Sequence, residues 1–561
     1  MSNSPPSSST STLSSMGNAN DVESQKHASR KTLSHWRMVI SQSGITDDVL
    51  NYHYKGSGTA EDPYLVEYIP FDHRNPMEWP DWKKWCITLT VACATLAVSL
   101  VASAYSAAIP QIMQEFGCGE EIATLGTSFF VLGFCFGPTI WGPLSELYGR
   151  QILFFGTFAM VTTFNAAAVG AHSIATLTVF RFIAGTFGSS PLTNAGGVIA
   201  DMFPASQRGL GPVIGGFIAE NVGWRWVEGV MALYCGVFWI FGTLFVPETY
   251  APVILMRRAK NLTKQTGKIH VSAIEHRQGK VTPATAFQKA LVRPWALLFL
   301  EPIVLLISIW MAILYGTLFM LFGAFPIVFA EGRHWSQGIS GLPFLGVACG
   351  QIIGTIYAFF DNRRYQRLDK EYNGDAPPES RLPPARIAAI AIPTGMFWFS
   401  WSNSPSIHWI VCIIGTAPFG FGMVLAFLGC VNYLIDAYTI YAASVLAGNA
   451  ILRSLFATVF PLFTTYMYRN LGIHWASSIP AFLAAACVPF PFVFYKYGKQ
   501  IRLKCKYAAQ AHEVMAQIRA RQKAIQEEEE REREQHEADS DAAKRCSGEK
   551  SGVMGNREQQ A

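Results

Sequence analysis

Charge is scarce in this chain. Only 15% of its 561 residues are Asp, Glu, Lys or Arg, while 50% are hydrophobic; soluble domains carry roughly a quarter charged residues. The deficit excludes an ordinary water-soluble globular chain and points to the bilayer. Cysteines at metal-ligand or disulfide spacing are also missing. The eleven present are scattered, and Cys93, Cys135, Cys235, Cys349 and Cys487 fall inside apolar runs, where they read as small buried side chains. The opening residues are Ser/Thr/Pro-rich and hold no apolar signal-peptide core, so no signal peptide is expected. With no nucleophile–base pair, metal cluster or phosphate-cradling loop in view, an enzyme is not expected either. The net charge of +5 lies mostly in loops and tails, which argues orientation in a membrane and not nucleic-acid binding.

What is abundant is apolar sequence in membrane-length runs. Expected spans lie near residues 86–109, 123–141, 152–169, 174–200 and 227–245, then 297–329, 339–360, 387–402, 407–434, 441–466 and 479–494. Between the two sets, residues 251–293 carry nine cations (Arg257, Arg258, Lys260, Lys264, Lys268, Arg277, Lys280, Lys289, Arg293) against the acid Glu275. The positive-inside rule places this interval in the cytosol, where the Asn261-Leu262-Thr263 sequon stays unglycosylated. Arg363, Arg364, Arg367, Lys496, Lys499, Arg502, Lys504 and Lys506 put another loop and the C-terminal tail on the same side. The expected fold class is therefore an all-α membrane protein of two six-helix transmembrane bundles. Its regions are 1–83 (cytosolic, largely disordered), 84–250 (first bundle), 251–294 (basic cytosolic loop), 295–497 (second bundle) and 498–561 (charged cytosolic tail). In that tail, Cys505 beside basic residues reads as an unmodified thiol in preference to a palmitoylation site. The ends of the fourth and tenth spans, NAGGVIADMFPAS from Asn194 and NYLIDAYTIYAAS from Asn432, echo each other. Parallel repeats of six-span halves produce such an echo, and so does chance similarity between apolar helices.

One crossing is too short. Between Arg208 and Arg225 lie sixteen residues, GLGPVIGGFIAENVGW, which reach roughly 24 Å as a helix against a hydrocarbon core of roughly 30 Å. Deleting that crossing would put the basic interval outside, against the charge rule. Either half of span five is missing at 209–210, or the crossing is thinned or re-entrant.

A tight charged hairpin joins the second and third spans, GPLSELYGR from Gly142 to Arg150. Gly142 and Gly149 are expected to relieve crowding at the turn, and Glu146 and Arg150 stand four apart, the spacing of a helical ion pair. An ordinary loop with a charge pair is the plainer reading. The order of residues resembles the span two–three loop of the major facilitator superfamily, with Glu146 where the family has Asp and with Leu147 and Gln151 at two commonly basic positions. Gly211-Pro212-Val213-Ile214-Gly215-Gly216 resembles the latter part of the span-five motif of drug:proton antiporters in that superfamily, with Gln207 where a glycine is expected. The segment from Pro63 to Trp85 is similar to the lead-in of the fungal members. The resemblance implies that Gly142, Glu146, Gly149, Arg150, Gly211, Pro212, Gly215 and Gly216 belong to conformational motifs.

Several residues stand out for chemistry. Arg181, a charge inside the fourth span, is expensive in lipid and faces a cavity or a partner; with Gly185 it matches the span-four motif that the resemblance links to proton coupling. Asp201, Glu301 and Asp436 sit near cytosolic ends, as proton carriers or as caps and gates, and Asp201 is read as a gate with Arg150. Arg453 is expected as a structural partner of Asp436 or of backbone carbonyls. Tyr105, Asn194, Tyr315, Phe319, Asn432 and Asn449 are substrate-path candidates, since aromatic faces suit cations and buried amides orient ligands; plain interhelical packing is the competing role. The resemblance implies a monomeric plasma-membrane exporter of amphiphilic or cationic small molecules, with both termini cytosolic and the proton gradient as driving force in place of any cofactor. Polyamine or secondary-metabolite export, a non-transporting sensor or scaffold, and an inactive truncated form are the alternatives.

Overall fold

The computed structural model describes residues 34–194 (42 and 71 excepted), 221, 223–279, 282–372 and 376–517, with isolated positions from 520 to 531. Nearly all of it is helix, since in lipid each crossing must satisfy its own backbone hydrogen bonds. Among the described residues, 8 helices are long and apolar enough to cross a bilayer: Trp82–Phe116, Glu120–Tyr148, Arg150–Val169, Trp224–Phe245, Pro302–Glu331, Ile339–Glu371, Trp409–Ala437 and Thr439–Lys504. The last, at 66 residues, is two crossings, because Gly472 at φ 75° interrupts it. Helices Ile174–Asn194 and Pro383–Ser402, of 21 and 20 residues, stand in the fourth and ninth places. Span five, and with it Asp201, Gly211, Pro212, Gly215, Gly216 and the shortfall at 209–210, lies outside the described residues.

Two boundaries move from expectation. The hairpin loop is a single residue: span two stays helical to Tyr148, Gly149 turns at φ 94°, and Arg150 starts span three. Gly149 thus earns its place by backbone conformation. Gly142 does not relieve crowding, for a Cβ there would meet nothing within 4 Å. Span seven begins at Pro302, with Glu301 as its N-cap. Residues 297–300 instead end a separate helix, Pro283–Leu300, whose start is held by a Thr282–Thr285 capping box. A proline at the first helical position lacks only an N–H that would be orphaned anyway, which lets a new helix begin at 302.

Contacts divide the chain into two units, one of residues up to Trp85 with Leu244–Lys280, the other of Cys86–Thr243 with Val281–Ala561. Sequence reasoning kept the N-terminal region and the basic interval apart; in the structure they share a core. Val49, Tyr54, Val66 and Ile69 pack with Leu255, Ala259 and Leu262 of the Ala251–Thr266 helix. Strand β1 (Tyr64–Val66) pairs in parallel with β2 (His270–Ser272), Tyr64 opposite His270. Arg258, fully buried, donates through Nη1 and Nη2 to the two carboxylate oxygens of Asp72, and through Nε to the Ser43 carbonyl at 3.3 Å. Burial pushes the hydroxyls of Tyr54 and Tyr68 up to about 12, so both stay neutral, and that of Tyr54 donates to the Val49 carbonyl at 3.2 Å.

In the second unit, spans two and four touch through glycines. A Cβ on Gly185 would fall onto the Phe130 carbonyl oxygen, and one on Gly133 onto the backbone nitrogen of Thr186. Spans eight and ten repeat the device. A Cβ on Gly350 would meet the Ala417 carbonyl, and one on Gly420 the Val347 carbonyl. Lipid supplies no hydrophobic drive between helices, so close backbone approach at small residues does the joining.

Removing Asp72 leaves a buried, unpaired Arg258, a loss of about 3–5 kcal/mol. Asp72→Ala is therefore expected to strip hydrogen-exchange protection from residues 251–266, while Asp72→Leu with Arg258→Met restores most of it.

Candidate functional site

The fourth span places Arg181 where four helices meet, and its side chain is 1% exposed. Nη1 donates to Glu228 Oε1 at 3.1 Å and Oε2 at 3.4 Å, Nη2 to the Val101 carbonyl at 3.1 Å, and Nε to the Gly126 carbonyl at 3.3 Å. Its guanidinium carbon stands 4.5 Å from the Tyr105 ring centre and 4.6 Å from that of Phe130. One cation therefore ties together span one (Val101, Tyr105), span two (Gly126, Phe130) and span six (Glu228). A buried charge survives in lipid when it is paired and its remaining donors are satisfied, and every guanidinium nitrogen here has an acceptor.

Glu228, 2% exposed, was missed from sequence. The rule that flagged Arg181, an ionisable group inside an apolar run, applies equally to Glu228. It went unused because Arg225 stands three residues earlier and made the stretch read as a span end. Arg225 in fact turns back to Glu115 at 2.6 Å, and Glu115 also accepts from the Trp224 indole at 2.5 Å. That arrangement pins the start of span six to the end of span one and carries Glu228 inward.

Tyr105 is placed by this site, though not as an open ligand surface. Its hydroxyl donates to the Ala123 carbonyl at 3.0 Å and its ring stacks on Arg181. A Cβ on Gly126 would fall on that ring, so glycine makes room for it.

Most of the remaining described candidates make contacts of their own apart from Arg181. Asp436, at the end of span ten, accepts from Arg381 Nε at 2.9 Å and from the Tyr365 hydroxyl at 3.3 Å. Arg364 joins the same corner through Asp361 at 2.7 Å and the Ser380 carbonyl at 2.9 Å. The expected Arg453–Asp436 pairing is thus replaced: Arg381 takes the carboxylate, and Arg453 lies 4.9 Å from the Tyr315 ring and 5.3 Å from that of Phe427. Glu301 is fully buried and acts as a clasp, accepting from the Tyr438 hydroxyl at 2.9 Å and from the Tyr507 backbone N–H at 2.8 Å. Burial, reinforced by neighbouring Glu301, pushes the Cys505 thiol up to about 12, and the residue is 7% exposed.

Tyr315 and Phe319 are each 2% exposed and stack edge to face, in a ladder that continues through Phe322, Phe344 and Phe325. Asn449 donates to Ser308 Oγ at 3.1 Å and lies 3.3 Å from the Met311 sulfur. Asn432 is half-buried. Asn194 closes the described part of span four, and its side chain lies outside the description. At the hairpin, the cations acting on Glu146 are Lys289 and Arg150; Lys289 is an addition to the expected pair.

The halves of the second unit also meet directly. At the end of the spans opposite Gly149, Glu120 takes Arg469 at 3.0 Å and the Thr465 hydroxyl at 2.8 Å. Gln337 reaches across to the Ala107 carbonyl. Midway, the Cys135 thiol faces the Ile451 carbonyl at 3.7 Å.

Comparison with known proteins bears on all of this. The family model described as Major Facilitator Superfamily matches residues 91–211 and 209–461. The chain is 58% identical over 518 residues to the "MFS-type efflux pump MFS2" of Trichophyton rubrum, covering 90% of this chain and 87% of that protein. It is 57% identical over 508 residues to the "Major facilitator superfamily multidrug transporter mdrA" of Aspergillus fumigatus, covering 88% and 84%. Among solved structures, the proton:xylose symporter XylE matches with a TM-score of 0.51 at 14% identity, over 75% of this chain and 96% of that one, a likeness of fold alone. Twin glycine-joined helix pairs, a buried span-four arginine and these matches lead to one conclusion: the chain belongs to the Major Facilitator Superfamily, as a multi-pass membrane transporter and not an enzyme.

Proposed function

We propose that this transporter exports amphiphilic or cationic small molecules in exchange for protons, its two six-span bundles rocking around a central site that opens alternately to either side. The observation that carries the coupling is the Arg181–Glu228 pair. Glu228 is a carboxylate inside the bundle whose charge is balanced by a cation that also holds spans one and two. Protonating Glu228 cancels its attraction to Arg181 and leaves the guanidinium on two carbonyls and two ring faces, which loosens span six from spans one, two and four. A proton is thereby converted into a change of helix packing. High identity to proteins named efflux pump and multidrug transporter supports the export direction and the substrate class. On this reading the protein is a monomer in the plasma membrane, with the basic interval and both termini in the cytosol.

A second reading has its own support. The two stretches that match the family pattern meet at residues 209–211, where the sequence falls short of a full fifth span. A chain lacking half a crossing fits a sensor, a scaffold or an inactive form. Polyamines and secondary metabolites share the cationic and amphiphilic chemistry of the proposed cargo, and competition against dye efflux separates them.

In proteoliposomes, an imposed proton gradient is expected to drive efflux of a fluorescent cationic dye. Glu228→Gln keeps the shape and a hydrogen bond to Arg181 but cannot cycle a proton, so gradient-driven efflux should drop to the level of protein-free vesicles while dye binding persists. Unchanged gradient dependence would remove the pair from the mechanism.

Sequencing the transcript across the codons for residues 208–212 is expected to recover about half a span, roughly ten residues at the 1.5 Å rise of a helix. If the short form is confirmed and the folded protein shows no gradient-dependent flux, the sensor or inactive reading stands in place of the exporter.

A further inference from the structure

The unit built from the N-terminal lead-in and the basic interval holds a groove that plays no part in the transport path described above. Its volume is about 630 Å³, and it is lined by Ser41, Ser43, Arg257, Lys260, Asn261, Thr263, Lys264 and His270. That volume falls in the range of small-ligand sites. None of these lining residues is acidic.

The cations come from one helix face. Arg257, Lys260 and Lys264 of the Ala251–Thr266 helix stand three and then four residues apart, the spacing that stacks side chains along one side. The opposite side, Leu255, Arg258, Ala259 and Leu262, is buried. The helix is therefore fixed in rotation by its core and by the Arg258–Asp72 pair. The basic stripe cannot turn away from the groove without breaking that buried pair.

Asp72 compensates Arg258 on the buried side, whereas Lys260 and Lys264 project into water. Hydroxyls of Ser41 and Ser43 and the Asn261 amide stand among the cations, a mixture that suits several anionic oxygens better than a single carboxylate; the Thr263 hydroxyl is held by the Ala259 carbonyl and the His270 N–H. The facing wall is anchored by the β1–β2 pairing, which carries His270, and the Arg258 Nε donates to the Ser43 carbonyl. Both rims of the groove are thus tied to the same buried arginine or to the adjoining strand pair.

We propose that this groove binds a ligand bearing several phosphate groups on a compact ring, the chemistry of an inositol polyphosphate, whether free or as the headgroup of a membrane lipid. The exposed Lys260 and Lys264 with Arg257 beside them, the Ser41 and Ser43 hydroxyls and the Asn261 amide, with no acid among the lining residues, match clustered phosphomonoesters. A headgroup source requires the cytosolic placement given above for the basic interval, since polyphosphorylated inositol lipids face the cytosol; a soluble source does not.

Purified full-length protein would be titrated with inositol hexakisphosphate and, in parallel, captured on vesicles of phosphatidylcholine with and without phosphatidylinositol 4,5-bisphosphate. Saturable binding of either probe is expected, weakened about tenfold by Lys260→Gln with Lys264→Gln and retained by Lys260→Arg with Lys264→Arg. Both lysines are exposed, so the variants keep the fold. Lys55→Gln with Arg277→Gln removes equal charge from elsewhere in the same unit and should leave affinity unchanged. Binding to the vesicles alone assigns a lipid headgroup, and binding of the soluble probe assigns a free ligand. No saturable binding of either probe, or equal weakening by the control pair, overturns the proposal.

Discussion

Everything in the membrane part of this protein depends on how closely helices can approach. In lipid, an apolar side chain gains nothing by moving from acyl chains to another helix, so association rests on packing and polar contacts. Gly133 against Gly185 brings spans two and four to backbone contact, and Gly350 against Gly420 does the same for spans eight and ten. These are corresponding pairs in the two halves. The first has a further consequence: Gly185 stands one helical turn beyond Arg181, so the contact that joins the helices also brings the Gly126 carbonyl and the Phe130 ring to the guanidinium. The site is made by the packing, and packing without glycine there would have no room for it.

Much of this architecture was legible in the sequence. Apolar runs located the crossings, and one rule about charges in lipid singled out Arg181, because the cost of burying a lone guanidinium is large whatever the tertiary context. Partner identity was not legible. Arg181 pairs with Glu228, 47 residues away, and nothing in local pattern ranks that acid above Asp201 or Glu115. Asp436 illustrates the same limit: Arg453 shares its bundle, yet Arg381, at the start of span nine, reaches the carboxylate. Helix boundaries failed where hydropathy is blind to chain direction. Leu297 to Leu300 are as apolar as the body of span seven, and only Pro302 with its Glu301 cap separates the two helices.

The unit formed by residues up to Trp85 with Leu244–Lys280 was legible in parts but not as a whole. Residues 1–83 read as largely disordered, with a lead-in from Pro63 to Trp85, and residues 251–294 as a basic loop. Each alone lacks the apolar content for a core. Their shared core takes Val49, Tyr54, Val66 and Ile69 from one and Leu255, Ala259 and Leu262 from the other. A buried arginine with its carboxylate then sets the rotation of the Ala251–Thr266 helix. Charge counted along the sequence showed that the interval is basic, but its distribution around the helix, buried pair on one side and exposed lysines on the other, required the fold.

The two halves, although built on the same helix pairs, hold their ionisable groups differently. In the first half the pair is deep: Arg181 and Glu228 are 1% and 2% exposed and bind spans one, two, four and six into one cluster. In the second half the acids are moved to the ends. Asp436 with Arg381 remains roughly a quarter exposed, Glu379 takes Arg502 at 3.2 Å, and Glu301 fastens span seven to Tyr438 and to the chain just past span twelve. Its middle is given instead to aromatic rings and to Arg453, which has two of those rings beside it. Between the halves, the Cys135 thiol of span two faces the Ile451 carbonyl of span eleven. Glu120 with Arg469 joins the halves at the end opposite Gly149, whereas the deep Arg181–Glu228 pair lies wholly within the first half.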